Sequence, residues 1–191
     1  MTVARTLGVA LSGVSGQLVE VQADLSSGLP GLSFTGRADV SVVESRDRIR
    51  AAVINSDIDW PNRRITLALL PADIPKVGSG FDLALALAVL GAAEVIDRLL
   101  TADVVWLAEL GLDGKLRPVR GVLPAVVAAA RAGVRRIVVA SANGAEAALV
   151  DGPDIRIADD LSQVVAWLSG QGPALAPASP GEPTAPTPGP D

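Results

Sequence analysis

The stretch "PKVGSGFDLALALAVL", residues 75–90, decides how the chain folds around its centre. A lysine precedes a serine set between two glycines, and a carboxylate then opens an almost wholly apolar run. Such a stretch has three interpretations: a loop that cradles a phosphate, a turn that presents a serine nucleophile, or a turn that leads into a buried helix. The three differ in the residues that they need elsewhere in the chain.

The composition removes several kinds of catalytic site. The 191 residues contain no Cys, His or Tyr, which excludes disulfides, Cys/His zinc sites and any catalytic triad that needs imidazole as its base. Only Lys76 and Lys115 remain as amine bases. The net charge of −5 disfavours nucleic acid for the chain as a whole, and the 3% aromatic content leaves little surface for stacking bases.

The glycines after Lys76 do not match a phosphate-binding loop. A P-loop carries its lysine after the glycines, directly before a Ser or Thr. In "GSGFD" (78–82) no lysine follows the glycines, and in "GLDGKL" (111–116) no Ser or Thr follows the lysine. Nucleotide binding is therefore disfavoured for these residues.

Ser79 is the candidate nucleophile of the stretch. Without histidine, its base has to be Lys76 or Lys115, made neutral by burial. Both lysines fall in predicted turns, where we expect hydrated, charged amines that make poor bases. The third interpretation needs no base: the glycines permit the turn, Ser79 or Asp82 caps the helix, and the apolar run buries it.

The apolar run predicts a buried helix and not a membrane span. It holds eleven uncharged residues from Leu83 to Ala93, which as a helix cover about half of a bilayer core of roughly 30 Å. The N-terminus "MTVARTLGVALSG" is too weakly apolar for a signal peptide. These features predict a cytoplasmic protein without a membrane partner.

Composition divides the chain after residue 169. Residues 1–169 alternate between strand and helix periodicity, which predicts an α+β domain with a mixed sheet. "DVVWLAEL" (103–110) predicts one of its strands, and Asp39 is the expected N-cap of its first helix. The four longer predicted helices cover 40–55, 81–93, 122–132 and 159–168. Residues 170–191 hold half of the fourteen prolines, which predicts a disordered, semi-extended linker.

The main basic cluster consists of Arg46, Arg48, Arg50, Arg63 and Arg64. We expect these side chains to be exposed and to contact a partner subunit or DNA. Carboxylates are interleaved with them, as on a solvated or subunit-facing helix: Glu44, Asp47, Asp57 and Asp59. No spacing of carboxylates indicates a metal site.

Four motifs follow one another along residues 3–168: "GLPG", "ESRDRIRAAVINS", "WPNRRITLALLPADIPKVGSGFDLALALAVL" and "AELGLDGKLRPVRGVLPAVVAAARAGVRRIVV". Together they resemble the N-terminal domain of the Mg-chelatase-like AAA+ ATPases of the YifB/ComM group. The resemblance implies a homo-oligomer, a hexameric ring in that family, and a role in DNA branch migration during natural transformation. It also implies that ATP and Mg²⁺ belong to an AAA+ module beyond these residues, with no cofactor or metal here.

The same domain is similar to the proteolytic domain of Lon proteases, which has a ribosomal-protein-like fold of two layers with a mixed sheet and helices. Lon proteases use a Ser-Lys dyad. The resemblance puts Gly80 at the position of the serine and Ala125 at the position of the lysine, so both catalytic groups are missing. It therefore implies a non-catalytic assembly or guidance domain. A serine hydrolase that uses Ser79 is the alternative.

Overall fold

The computed structural model describes residues 3–181, which form an eight-stranded sheet, a two-stranded hairpin and the helices around them. The strands are β1 (Ala4–Ser12), β2 (Ser15–Ser26), β3 (Gly31–Thr35), β4 (Arg64–Leu70), β5 (Val104–Leu107), β6 (Glu109–Leu110), β7 (Leu116–Arg117), β8 (Arg136–Ala140), β9 (Asp154–Ala158) and β10 (Ala176–Pro177). The helices are α1 (Val40–Val43), α2 (Ser45–Asn55), α3 (Asp82–Ala92), α4 (Val122–Arg131), α5 (Gly144–Ala147) and α6 (Leu161–Leu168).

The large sheet is mixed, with the strand order β10-β9-β8-β5-β1-β2-β4-β3. Antiparallel ladders join β1 to β2 and β2 to β4. Parallel ladders join β3 to β4, and they also link β1, β5, β8 and β9 in that order. Parallel neighbours need crossover connections, and α2, α4 and α5 lie in such connections. The structure confirms the predicted α+β class with a mixed sheet.

α3, which the apolar run predicts, is buried along its whole length. All of its residues, from Asp82 to Ala92, are buried, as expected of a helix that is apolar all round. Thr6 on β1 donates a hydrogen bond to the carbonyl of Ala84 at 2.8 Å. Gly8 makes room for the Phe81 ring, which a Cβ at position 8 would approach to 2.7 Å. None of the helices in residues 3–181 has the length and apolarity needed to cross a membrane.

Helices cover both faces of the sheet. Residues of α2, α3 and α6 belong to one hydrophobic cluster, and residues of α4 and α5 belong to a second cluster with other strand residues. All four residues of β5 are buried, as expected of a strand that is covered on both sides. The structure thus adds a second helical layer to the two layers expected.

Two predicted elements are interrupted. The helix expected over 40–55 breaks at Glu44 into α1 and α2. Asp39 caps α1, as predicted, by accepting two backbone N–H groups of the first turn at 2.9 and 3.2 Å. The strand expected over 103–110 ends with β5, because β6 leaves the large sheet to pair with β7. Glu109 therefore lies just beyond the carboxyl end of β5.

The first part of the Pro-rich tail, residues 170–181, is folded onto the domain, and we call it the strap. Within the strap, β10 pairs antiparallel with β9, and the Leu175 side chain is 1% exposed. The Arg156 guanidinium donates to the Leu175 carbonyl at 3.0 Å. The prediction of a disordered linker therefore does not hold for the strap. The rest of the predicted linker, 182–191, lies outside the described residues.

Candidate functional site

Gly80 and Ala125, the positions that the resemblance assigns to a catalytic dyad, line one cleft. The loop before α3 and the segment that leads into α4 contribute to its walls, together with residues of β1. The cleft has a volume of about 460 Å³ and also contains Ser79 and Glu109. The structure therefore brings together two positions that lie far apart in the sequence.

The Ser79 hydroxyl is paired with a carboxylate and not with an amine. It donates to Oε2 of Glu109 on β6. Gly78, with a φ of +89°, forms the turn that presents Ser79. The N-cap of α3 is Phe81, and no side chain caps that helix. The prediction that Ser79 or Asp82 caps α3 is therefore wrong.

Neither lysine is placed to activate Ser79. Lys76 is fully buried, and its ammonium donates to the carbonyl of Pro71. Loss of hydration on burial lowers the pKa of Lys76, so the expectation of a hydrated amine is wrong at this position. Lys115 is exposed in the β6–β7 turn, as predicted. Among the described residues, the hydrogen bond of the Ser79 side chain goes to Glu109, and no Ser-Lys pair forms.

Gly80 leaves room for a side chain. A Cβ built on it would meet the Val119 side chain at 3.7 Å, which is an ordinary van der Waals distance. Its φ is not in the left-handed region that favours glycine, in contrast to the φ of Gly78. The packing of the cleft therefore does not require a glycine at position 80.

Asp82 forms a buried ion pair with Arg48 beside the cleft. Nε and Nη2 of Arg48 donate to the two carboxylate oxygens at 2.9 and 3.1 Å, and the Leu110 N–H donates to one of them at 3.2 Å. The Asp82 side chain is 1% exposed, and burial raises its pKa to about 6. The hydrogen bond with Asp82 raises the pKa of Arg48. Arg48 is thus engaged in joining α2 to α3 and β6, and the prediction of an exposed contact residue is wrong for it.

The other four arginines of the basic cluster are exposed, as predicted: Arg46, Arg50, Arg63 and Arg64. Arg46 and Arg50 lie one turn apart on α2, and Arg50 borders a hollow that also contains Asp57 and Asp59. Arg64 begins β4, next to Arg63. Carboxylates therefore offset part of the positive charge near α2.

Comparison with known proteins connects these features to one family. Residues 21–143 match the family model described as subunit ChlI of Mg-chelatase. Competence protein ComM of Haemophilus influenzae is 39% identical over 171 residues, which cover 90% of this chain and 33% of that protein. Protein YifB of Escherichia coli is 40% identical over 162 residues, which cover 85% of this chain and 32% of that protein. Protein Rv2897c of Mycobacterium tuberculosis is 49% identical over 170 residues, or 89% of this chain and 34% of that protein.

The chain spans about a third of the length of these relatives. A more distant match is a Lon protease of Mycolicibacterium smegmatis, which is 27% identical over 83% of this chain and 22% of that protein. This match agrees with the Lon-like fold that the motifs imply. From the family model and the ComM and YifB matches together, the chain belongs to the Mg-chelatase-like family that includes ComM and YifB.

Proposed function

We propose that this chain is the non-catalytic N-terminal domain of a ComM/YifB-like AAA+ ATPase, and that it assembles the ring and guides DNA during branch migration. The Haemophilus influenzae relative is a competence protein, and this supports a role in natural transformation. ATP and Mg²⁺ then belong to an AAA+ module beyond these residues, and the assembly works in the cytoplasm. The domain itself acts as a homo-oligomer.

One observation carries the non-catalytic part of the proposal. Gly80 and Ala125 line the same cleft, yet neither side chain supplies a nucleophile or a base. Ser79, one residue away, donates its hydroxyl to Glu109, and both lysines lie elsewhere. A carboxylate is a weak base toward a serine hydroxyl, because a catalytic base works best when its pKa lies near the operating pH.

The serine hydrolase alternative rests on the same hydroxyl and is tested by labelling. We expect a serine-reactive fluorophosphonate to leave both the wild type and Ser79→Ala unlabelled, because neither lysine activates the hydroxyl. Gel fluorescence measures the labelling, with an active serine protease as the positive control. Labelling of the wild type that is abolished in Ser79→Ala would establish the hydrolase and end the non-catalytic proposal.

The exposed arginines of the basic cluster, which we call the arginine surface, support DNA contacts that several copies of the chain share. Four of the five predicted arginines are exposed, but neighbouring carboxylates and the net charge of −5 keep the field of one copy weak. Electrostatic contacts with phosphates accumulate when several copies lie along one DNA molecule. We therefore propose that DNA contact depends on assembly.

Branched DNA binding tests this dependence. We expect the assembled chain to bind in low salt and to lose roughly tenfold or more in affinity between 50 and 200 mM salt. Replacing Arg46, Arg50, Arg63 and Arg64 together by Gln should weaken the binding much more than replacing four other exposed arginines: Arg98, Arg120, Arg131 and Arg135. Fluorescence anisotropy measures affinity, and light scattering after size exclusion measures assembly. An affinity that does not change with salt, or an equal loss of affinity in both variants, contradicts DNA binding by the arginine surface. A chain that stays monomeric contradicts the proposed assembly.

A further inference from the structure

We propose that the cleft that contains Ser79 and Glu109 binds a small primary amine with an apolar stem. The ammonium group of this ligand meets the Glu109 carboxylate, and its stem lies against the apolar wall of the cleft. This site goes beyond the assembly role and does not depend on it. The proposal rests on the charges around Glu109 and on the residues that line the cleft.

Glu109 is a carboxylate without a cation of its own. The neighbouring guanidinium, that of Arg48, gives both its Nε and its Nη2 hydrogen bonds to Asp82. Among residues 3–181, no ion pair reaches Glu109, and the hydrogen bond that its carboxylate accepts comes from the Ser79 hydroxyl. Arg48, Asp82 and Glu109 together carry one net negative charge. An ammonium group placed at Glu109 is attracted by this charge, although the exposed Arg120, which also lines the cleft, opposes it.

The walls of the cleft suit a short apolar stem. Apolar side chains from four parts of the chain line it: Val9, Leu11, Phe81, Leu107 and Val119. Its volume of about 460 Å³ falls in the range typical of small-molecule sites. Glu109 is half-buried, so water only partly hydrates its charge and a hydrogen bond to an ammonium group is strengthened. The carboxylate, the hydroxyl and the apolar walls favour a cation attached to a hydrocarbon, whereas Arg120 disfavours it.

Arg120 also lines the cleft and distinguishes an amine from a zwitterion. Its side chain is exposed, and it forms no ion pair in the part of the chain that the structure describes. A bound ammonium group is repelled by a nearby guanidinium, whereas a ligand carboxylate would be attracted to it. Removing Arg120 should therefore strengthen the binding of a plain amine.

Titration of the full chain with n-pentylamine, followed by NMR of the backbone amides, tests the site. We expect shifts concentrated in residues 77–81 and 119–121, and no comparable shifts with 1-pentanol, which has the same stem without the charge. Glu109→Gln should weaken binding by about tenfold or more, and Arg120→Ala should strengthen it roughly threefold. Glu94→Gln, at an exposed glutamate away from the cleft, is the matched control and should change nothing.

Each other outcome overturns the proposal. Equal binding of pentanol means an apolar pocket without charge recognition. Unchanged affinity in Glu109→Gln, or shifts outside the cleft, means that the amine binds elsewhere. Tighter binding of N-acetyl-lysine methylamide than of pentylamine is the exception: it supports the site and means that a lysine side chain of a protein supplies the amine. If Glu109→Gln unfolds at a lower urea concentration than the wild type, Glu109→Asp replaces it. Glu109→Asp keeps the charge on a side chain one methylene shorter, and it should weaken binding less than Glu109→Gln does.

Discussion

Burial raises the pKa of the Asp82 carboxyl, whereas the Arg48 guanidinium lowers it. Arg48 favours the carboxylate through two hydrogen bonds, yet the pKa lies at about 6, above the ordinary 3.8. Loss of hydration therefore outweighs the ion pair, as is common for buried charges. We expect the pair to specify how α2 packs on α3 and β6 rather than to add net stability.

Asp82→Asn is expected to change how stability depends on pH. Because the folded-state pKa of about 6 lies above the ordinary 3.8, folding takes up a proton at this carboxyl. The stability that it contributes is present below pH 4 and is lost as the pH rises through 6, by about 3 kcal/mol in all. Urea unfolding from pH 4 to 7.5 should therefore show the variant gaining stability relative to the wild type as the pH rises.

Asp151→Asn provides the control for this comparison. Asp151 is exposed and forms no ion pair within residues 3–181, so its replacement removes a carboxylate without removing the buried charge. If the stability difference between Asp82→Asn and the wild type stays flat with pH, or falls as the pH rises, Asp82 does not take up a proton on folding.

Among the elements, the strap is held by both side-chain and backbone contacts. The buried Leu175 side chain joins the same hydrophobic cluster as α6. The Ala178 N–H donates to the Ile155 carbonyl at 2.9 Å, and the Gly172 N–H donates to the Ala166 carbonyl at 3.0 Å. These contacts satisfy the backbone of the strap at several points, so it behaves as part of the domain.

Leu175→Ala is expected to destabilise the chain by about 2–4 kcal/mol, because it removes a fully buried side chain and leaves a cavity. Leu149→Ala is the matched control, since Leu149 is 63% exposed and its loss should cost less than about 0.5 kcal/mol. Urea unfolding gives both values. Proteinase K should also cut the strap faster in Leu175→Ala. Equal stability of the two variants would contradict a docked strap.

The sequence predicts helices better than it predicts the strap. The burial of α3 follows from a long run of apolar residues, and the start of α1 follows from the capping chemistry of Asp39. The strap is missed because its proline-rich composition predicts disorder and gives no sign that Leu175 is buried. Its contacts with β9 are made mainly by backbone groups, which leave no periodic pattern in the sequence.

At the scale of the whole molecule, the candidate site is predicted only in part. The motifs indicate that Gly80 and Ala125 correspond to one site, and the structure places both in one cleft. Glu109 is missed because the pattern predicts a single strand through it, whereas β6 leaves the sheet. Arg48 is predicted, but with the wrong role, because helical spacing alone does not show that Asp82, 34 residues away, lies against it.

The folded unit is expected to extend past Ser169 and to include the strap. Relative to the full chain, a chain of residues 1–169 should lose at least as much stability as Leu175→Ala does. The shorter chain also leaves β9 as an open sheet edge, which favours aggregation. Urea unfolding and light scattering compare the two. Equal stability would place the boundary at Ser169.

The docked strap also changes the reach of anything that the chain carries after Gly181. As a free polyproline segment, the twelve residues 170–181 would span about 37 Å, at 3.1 Å per residue. Bound to the domain, they add none of that length to a tether. Gly181 lies beside α5, where a Cβ built on it would come within 3.4 Å of Ala145. If a further module follows, it is tethered from the α5 side and meets that surface at a higher local concentration than it would on a fully extended linker.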